Sequence, residues 1–380
     1  MGSVLEGIKV LELCEVYQGP IAGQILGDFG ANVIKVERPQ RGDSLRHSDT
    51  VATAKGKMGS YFAAANRNKQ SISLDLKQEE DKQLLLKMVA EADVLMHNYR
   101  PGVMQRLGLD YELLKKINPK LIYAAASGFG VKGPFANMAG QDLLIQSVSG
   151  LSWKTTADLD SPVFVNVPIS DYTSGVLLVQ GILLALFERQ RSGTGQEVNV
   201  DLLSTLVSMQ GLEAATILNY DYETKWSERA LNFAALTKDG WINVVGFFRE
   251  NPLQLLCQAL DVEDLSKQSQ WDSKDKQAKQ RDQIARALAP AFKKFSRDEC
   301  VQRLQQAGVL AAPVFTLQDI LEHQQIRDNK MLTEIPVAGQ EPMRVVANPV
   351  KLSRTPARVY SGPPQFDADA VEIKKKYSDR

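Results

Sequence analysis

The sequence predicts an α/β protein: a large doubly wound, Rossmann-like domain plus a smaller α+β domain. Three observations carry this. In the N-terminal half, short β-branched runs alternate with helical patterns, the signature of βαβ units and of a parallel sheet covered on both faces. After about residue 220 the chain becomes richer in charge and tryptophan, and from about residue 330 it turns polar and proline-bearing, with Pro336, Pro342, Pro349, Pro356, Pro363 and Pro364. The expected divisions are 1–205 for the N-terminal part of the large domain, 206–225 for a linker helix, 226–328 for the small domain and 329–380 for an extended return segment packing on the large domain.

The elements follow in order. Strands are expected at IKVLEL (8–13), NVIKVE (32–37), DVLMHN (93–98), KLIYAAAS (120–127) and QEVNV (196–200). Pro20 suits the opening of the first helix, and Gly27 or Gly30 its close. In KQEEDKQLLLKMVAEA, Leu84, Leu85, Met88 and Val89 keep helical spacing and the acidic residues sit in the first turn. A β-type run, Val163 to Val167, precedes Asp171, and an apolar helix follows it. The uncharged run Tyr172 to Phe187 has 16 residues and reads as a buried helix, short of the roughly 20 needed to cross a bilayer. In the small domain, LTKDGWINVVG reads as a hairpin turning at Asp239 and Gly240, followed by amphipathic helices at about 284–294 and 297–307.

Composition narrows function. Lys plus Arg (45) balances Asp plus Glu (45), so no net field draws the chain to nucleic acid or an anionic membrane. Cys14, Cys257 and Cys300 are few, odd in number and widely spaced, which fits a reducing cytosol and neither a disulfide framework nor a thiolate metal site. The N-terminus MGSVLEGIKV lacks the basic and apolar regions of a signal peptide. His47, His97 and His323 have no metal-ligand spacing, and no serine lies in a nucleophile elbow. Carboxylates remain as the candidate reagents.

Gly128, Gly130 and Gly133 have the spacing of a dinucleotide fingerprint, but Pro134 to Asn137 intervene before any helix, so a loop offering backbone N–H groups to an anion is the better fit. Arg38, Arg41 and Arg46 lie after the second strand, at the carboxyl edge where α/β sheets bind ligands. A phosphate-binding loop and a solvated basic loop both suit them. Asp171, ahead of its apolar helix, reads on residue type alone as an N-cap.

Several blocks in order, LEGIKVLELCEVYQGPIAGQILGDFGANVIKVERPQRGDSLR, NRNKQSISLDLK, ADVLMHNYRPGVMQRLGL, NPKLIYAAASGFGVKGP and SDYTSGVLLVQGILLALFERQRSGTGQEVNVDLL, resemble class III CoA-transferases, the group that includes formyl-CoA and carnitine CoA-transferases. The resemblance implies that Asp171 is the nucleophile, forming an aspartyl acyl anhydride and then an aspartyl-CoA thioester. A carboxylate with a pKa near 4 would need no deprotonating partner at pH 7. It further implies CoA contacts at Val16, Tyr17, Gln18, Arg38, Leu74, Leu76, Lys77, Asn98, Tyr99, Arg100 and Arg106, with Gln141 and Asp142 on the substrate side. Acyl-CoA and a small carboxylic acid are the expected partners, with no permanently bound cofactor, no metal and no membrane or nucleic acid, in an interlocked cytoplasmic homodimer. Two departures stand out. Tyr17 occupies a position where formyl-CoA transferase has glutamine, and no glycine run lies near Leu236 to Gly246, which argues against formyl-CoA and oxalate as substrates. Gly140-Gln141-Asp142 stands where the related acyl-CoA racemases carry Gly-His-Asp, and glutamine cannot act as the base.

Overall fold

The computed structural model describes residues 2–154 and 161–378. The stretch 155–160, inside the expected large domain, lies outside the described residues. Two compact units divide the chain: Met1–Gly211 with Lys330–Arg380, and Leu212–Asn329.

The first unit is built on six parallel strands: β1 (Lys9–Leu13), β2 (Asn32–Glu37), β3 (Lys69–Ser73), β4 (Val94–His97), β5 (Ile122–Ser127) and β6 (Glu197–Asp201), in the order β3-β2-β1-β4-β5-β6. The chain therefore runs outward from β1 to β3, returns, and runs outward again from β4, which leaves a switch point between β1 and β4. Strand residues alternate between two cores. Leu11, Ile34, Ile72 and Leu95 pack with Leu85, Met88 and Val89 of α2 (Glu79–Glu91), while Val10, Val33, Val94 and Ile122 pack with Leu26 of α1 (Gln18–Asp28) and with Leu178 and Ile182 of the long helix 169–192. Burial on both faces explains why these strands read as apolar runs instead of alternating ones.

β3 was not expected from the sequence. Its KQSIS is polar because it is the outer strand, and side chains from far along the chain satisfy its outward N–H groups. Ser71 N donates to Asp369 Oδ2 at 2.8 Å and Ser73 N to Asp367 Oδ1 at 2.6 Å. The expected extended return segment also needs correction. It carries a hairpin, β10 (Leu332–Val337) with β11 (Gln340–Val346), and a closing helix, Ala370–Ser378, whose Ala370, Ile373 and Tyr377 join the core beside α2. Val163 to Val167, read as a β-type run, forms no strand.

The second unit is an antiparallel sheet of β7 (Asn232–Leu236), β8 (Trp241–Val245) and β9 (Leu310–Pro313), covered by helices Pro252–Ala259, Arg281–Phe292 and Arg297–Gln306. The hairpin turns where expected: Thr237 N donates to Gly240 O at 2.9 Å, closing the loop through Asp239. Phe233 meets Phe292 edge to face at 5.9 Å within a core that also holds Ile242, Leu256, Ile284 and Leu304.

Candidate active site

The carboxyl ends of β1 to β5 carry nearly every residue expected at the site. β1 ends at Leu13, and Val16, Tyr17 and Gln18 form the turn into α1. Val16 is held at φ +67°, a conformation that a β-branched residue adopts only under constraint. The constraint is Asp43, whose Oδ1 accepts from Val16 N at 3.1 Å and from Leu45 N at 3.0 Å. Asp43 Oδ2 pairs with Lys35 Nζ at 2.9 Å; Lys35 also pairs with Glu12 Oε1 at 3.0 Å and donates to Cys14 O at 2.8 Å. Glu12 in turn pairs with Lys69 Nζ at 2.8 Å. All four side chains are fully buried, two acids against two cations. Glu12 and Lys35 face each other because the β1–β2 register makes them partners. Burial alone would lower the Lys35 pKa, but the flanking Glu12 and Asp43 carboxylates outweigh it and raise it, while Lys69, with burial dominant, is lowered to about 8.

Asn98, expected to meet the adenine or pantetheine amides, uses its amide elsewhere. Oδ1 accepts from Glu15 N at 3.0 Å and Nδ2 donates to Glu15 O at 2.7 Å, tying the loops after β1 and β4 together across the switch point. Of the three arginines after β2, Arg46 is withdrawn into the fold: its guanidinium forks onto Glu37 at 2.6 and 2.8 Å and lies 3.8 Å from the Phe62 ring centroid. Arg38 and Arg41 stay exposed and line a hollow of about 570 Å³ with Gln40, Gly42, Ser44 and His47. The Arg-Gly-Asp tripeptide is a turn in which Asp43 caps a short 3-10 helix.

After β3, Leu74 is buried in the core, so its side chain cannot reach a ligand; Leu76 is partly buried and Lys77 exposed. After β4, Tyr99 packs on the same core, with Arg100 exposed. Arg106, also exposed, lies in the short helix Val103–Leu107 with its guanidinium over Gly102. The loop after β5 is pinched at its neck, where a Cβ on Gly128 would stand 2.5 Å from the Cα of Gly140. No helix opens at Gly133, which removes the dinucleotide reading.

Beyond that neck, Gln141 caps the helix Asp142–Val148 through its side-chain oxygen, which accepts from Leu143 N at 3.1 Å. Asp142 is 5% exposed, so it faces the protein and not a substrate. Its Oδ1 accepts from Ser170 N at 2.7 Å, Ser170 Oγ at 2.5 Å and Asp171 N at 3.4 Å, and its Oδ2 from Gln146 Nε2 at 2.6 Å. With α3 at Val103–Leu107 and α4 at Asp142–Val148, this carboxylate fastens the start of α5 (Ile169–Ser192).

Asp171 is the third residue of α5, not its cap; Pro168 precedes the helix. The helix has 24 residues, long and apolar enough by length and composition to cross a bilayer, because it extends past the uncharged run at both ends. One side is packed in the core, and α1 is a close neighbour: a Cβ on Gly175 would strike Ile21 Cγ2 and lie 2.6 Å from Gln18 O. One turn before Gly175, Asp171 thus faces the α1 start. Burial, then the Tyr172 and Asp171 side chains, raise the Tyr17 pKa. Among the described residues the Asp171 carboxylate accepts no hydrogen bond, and burial, followed by the Asp142 charge, raises its pKa to about 7. The expectation of a fully ionised carboxylate at pH 7 is therefore corrected. Among the described residues no cluster of metal-ligating side chains occurs.

An open parallel sheet with cationic side chains around its carboxyl edge and, among the described residues, an unpaired carboxylate near a helix start has the layout of a ligand-binding α/β enzyme. The description of CoA-transferase family III matches residues 5–370, and the chain belongs to that family and is a CoA-transferase. Similar proteins include an acyl-CoA transferase of Fusarium pseudograminearum (33% identical; 97% of this chain, 84% of the relative), human succinyl-CoA:glutarate CoA-transferase (30%; 99% and 87%) and acetyl-CoA:oxalate CoA-transferase of Acetobacter aceti (32%; 98% and 95%). A crystal structure of a CAIB/BAIF family protein from Brucella suis superposes with a TM-score of 0.89 at 29% identity, covering 99% of this chain and all of that one. The α/β fold with its parallel six-stranded sheet and small antiparallel sheet is that of this family.

Proposed function

We propose that the protein moves CoA from an acyl-CoA to a carboxylic acid by covalent catalysis on Asp171. An Asp171 oxygen attacks the thioester carbonyl and expels the CoA thiolate, leaving an aspartyl acyl anhydride. The thiolate attacks the aspartyl carbonyl, giving an aspartyl-CoA thioester and the first free acid. The incoming carboxylate attacks that thioester to form a second anhydride, and the thiolate then attacks its acyl carbonyl, releasing the new acyl-CoA and regenerating Asp171. The observation that carries this reading is the Asp171 carboxylate itself, half-desolvated, unpaired and beside the α1 turn. A raised pKa strengthens a carboxylate as nucleophile while leaving it about half ionised near neutrality. The nearby α1 start, which carries no side-chain cap, supplies backbone N–H groups for a developing oxyanion, whereas those of the α5 start are taken up by Asp142.

Arg38, Lys77, Arg100 and Arg106 are exposed cations for the CoA phosphates, with Leu76 and Tyr99 as the wall beside them and Leu74 behind it in the core. Val16, Tyr17 and Gln18 lie at the thioester end. Asn98 and Asp142 act by positioning, Asn98 on the β1 turn and Asp142 on the α5 start. Gln141, engaged as a cap, supplies no racemase base. The names of the relatives, which include glutarate and oxalate, support a small mono- or dicarboxylate acceptor and lend oxalate more weight than Tyr17 alone suggested. Homodimerisation is supported by apolar surface on each unit: Leu184 and Phe187 of α5 on the first, and Leu212, Leu218 and Tyr220 on the second. Three free, buried cysteines suit a cytosolic setting. The test is mass spectrometry after mixing the protein with acyl-CoAs and acids in heavy water and quenching with hydroxylamine. Exchanged CoA products with a hydroxamate on Asp171 are expected. Deuterium at the α-carbon without CoA exchange, or no turnover with any pair, would overturn the reading.

A further inference from the structure

Glu15 has no part in the expected site, yet it holds one of the site's main cations. Arg38 Nε meets Glu15 Oε1 and Arg38 Nη2 meets Oε2, both at 2.7 Å. Two parallel N–H···O contacts are what a guanidinium would offer a phosphate, so the carboxylate occupies the groups a phosphate needs. The Glu15 backbone is anchored independently, because both arms of the Asn98 amide grip its N–H and C=O. The carboxylate is thus not required to shape the turn. Arg38 is 62% exposed against 22% for Glu15, so a ligand entering from the hollow shared with Arg41 and His47 reaches the guanidinium while the carboxylate stays in place behind it. Burial raises the Glu15 pKa, and Arg38 offsets that only in part. Arg46 and Lys35 cannot relieve Arg38, since Glu37 holds the first and Glu12 with Asp43 the second.

We propose that Glu15 tunes CoA affinity by competing with the phosphates of CoA for Arg38, which weakens CoA binding and recaptures the guanidinium when CoA leaves. This rests on the carboxyl edge being the CoA site. Calorimetric titration of CoA into the full-length protein, Glu15→Gln, Glu15→Ala, Arg38→Gln and the Glu15→Gln/Arg38→Gln double variant tests it. Relief of one half-exposed pair is expected to tighten CoA binding about fivefold in both Glu15 variants. That gain should vanish in the double variant, because it acts only through Arg38. Unchanged or weaker binding by the Glu15 variants, with the unaltered protein binding CoA, would overturn this inference alone. Tightening that persists without Arg38 would also overturn it, since simple charge repulsion would then suffice. No CoA binding by any of the five proteins would instead overturn the CoA-site reading, and this inference with it.

Discussion

Replacing Asp142 by asparagine removes the like charge beside Asp171 while keeping an oxygen for the Ser170 N–H and hydroxyl. The Asp171 pKa stands about three pH units above its usual 3.8, at about 7, and burial is the larger of its two causes. The share due to Asp142 is therefore less than half, at most about 1.5 units or about 2 kcal/mol. A chemical step that needs ionised Asp171 should give kcat/KM an acid limb centred near pH 7. Asp142→Asn should move that limb down to between about pH 5.5 and 6.5, because losing a negative neighbour makes ionisation easier. The substitution also sets an amide N–H against Gln146 Nε2, which now donates to Oδ2 at 2.6 Å, so stability should fall by about 1–3 kcal/mol. The assay is initial-rate CoA exchange from pH 5 to 9, with urea unfolding of the same samples. A limb unmoved by Asp142→Asn, or no acid limb at all in the unaltered protein, would refute the reasoning.

Asp171→Asn should abolish turnover and stabilise the fold. A carboxylate whose folded pKa is raised contributes stability that is present below about 3.8 and lost as pH rises through about 7, so the gain in melting temperature should be larger at pH 8 than at pH 5. Gly175→Ala puts a methyl against the Gln18 carbonyl, which cannot yield, and should cost about 1–3 kcal/mol in urea unfolding while lowering kcat through displacement of α5 from α1. Lys35→Met leaves the buried Glu12 and Asp43 without their shared cation and should cost about 3–5 kcal/mol, seen as loss of soluble protein or a much lower urea midpoint.

β1, β2, β4 and β5 were legible because a strand buried on both faces is a near-continuous apolar run, and NVIKVE matches its observed bounds, while β6, at the other edge, was legible from the alternation of Val198 and Val200 with polar residues. β3 was not, since an outer strand capped by remote aspartates needs only one deeply apolar residue, Ile72. Asp171 was singled out from sequence by its isolation and by family resemblance, but its helix begins three residues earlier than cap chemistry suggested, because Asp142 satisfies N-terminal N–H groups from outside the helix. Nothing local announced that role, nor the capture of Arg38 by Glu15 or of Glu15 by Asn98: each joins residues from different strand ends. A signal was available for the buried charges. Glu12 and Lys35 sit inside apolar strands, where an ionised side chain must find a partner.

The clasp on β3 has a consequence for the order of events during synthesis. Asp367 and Asp369 follow the strand by almost 300 positions, with the entire second unit between them. As the chain emerges from the ribosome, β1 to β6 and then the second unit are complete while the outer strand still shows bare N–H groups, the kind of edge that recruits strands from other chains. At elongation rates of about 5–20 residues per second that exposure lasts on the order of 15–60 seconds. With Ile72 its one strongly apolar residue, KQSIS offers other strands little to pack on, which keeps the nascent edge unattractive until its own C-terminal residues arrive.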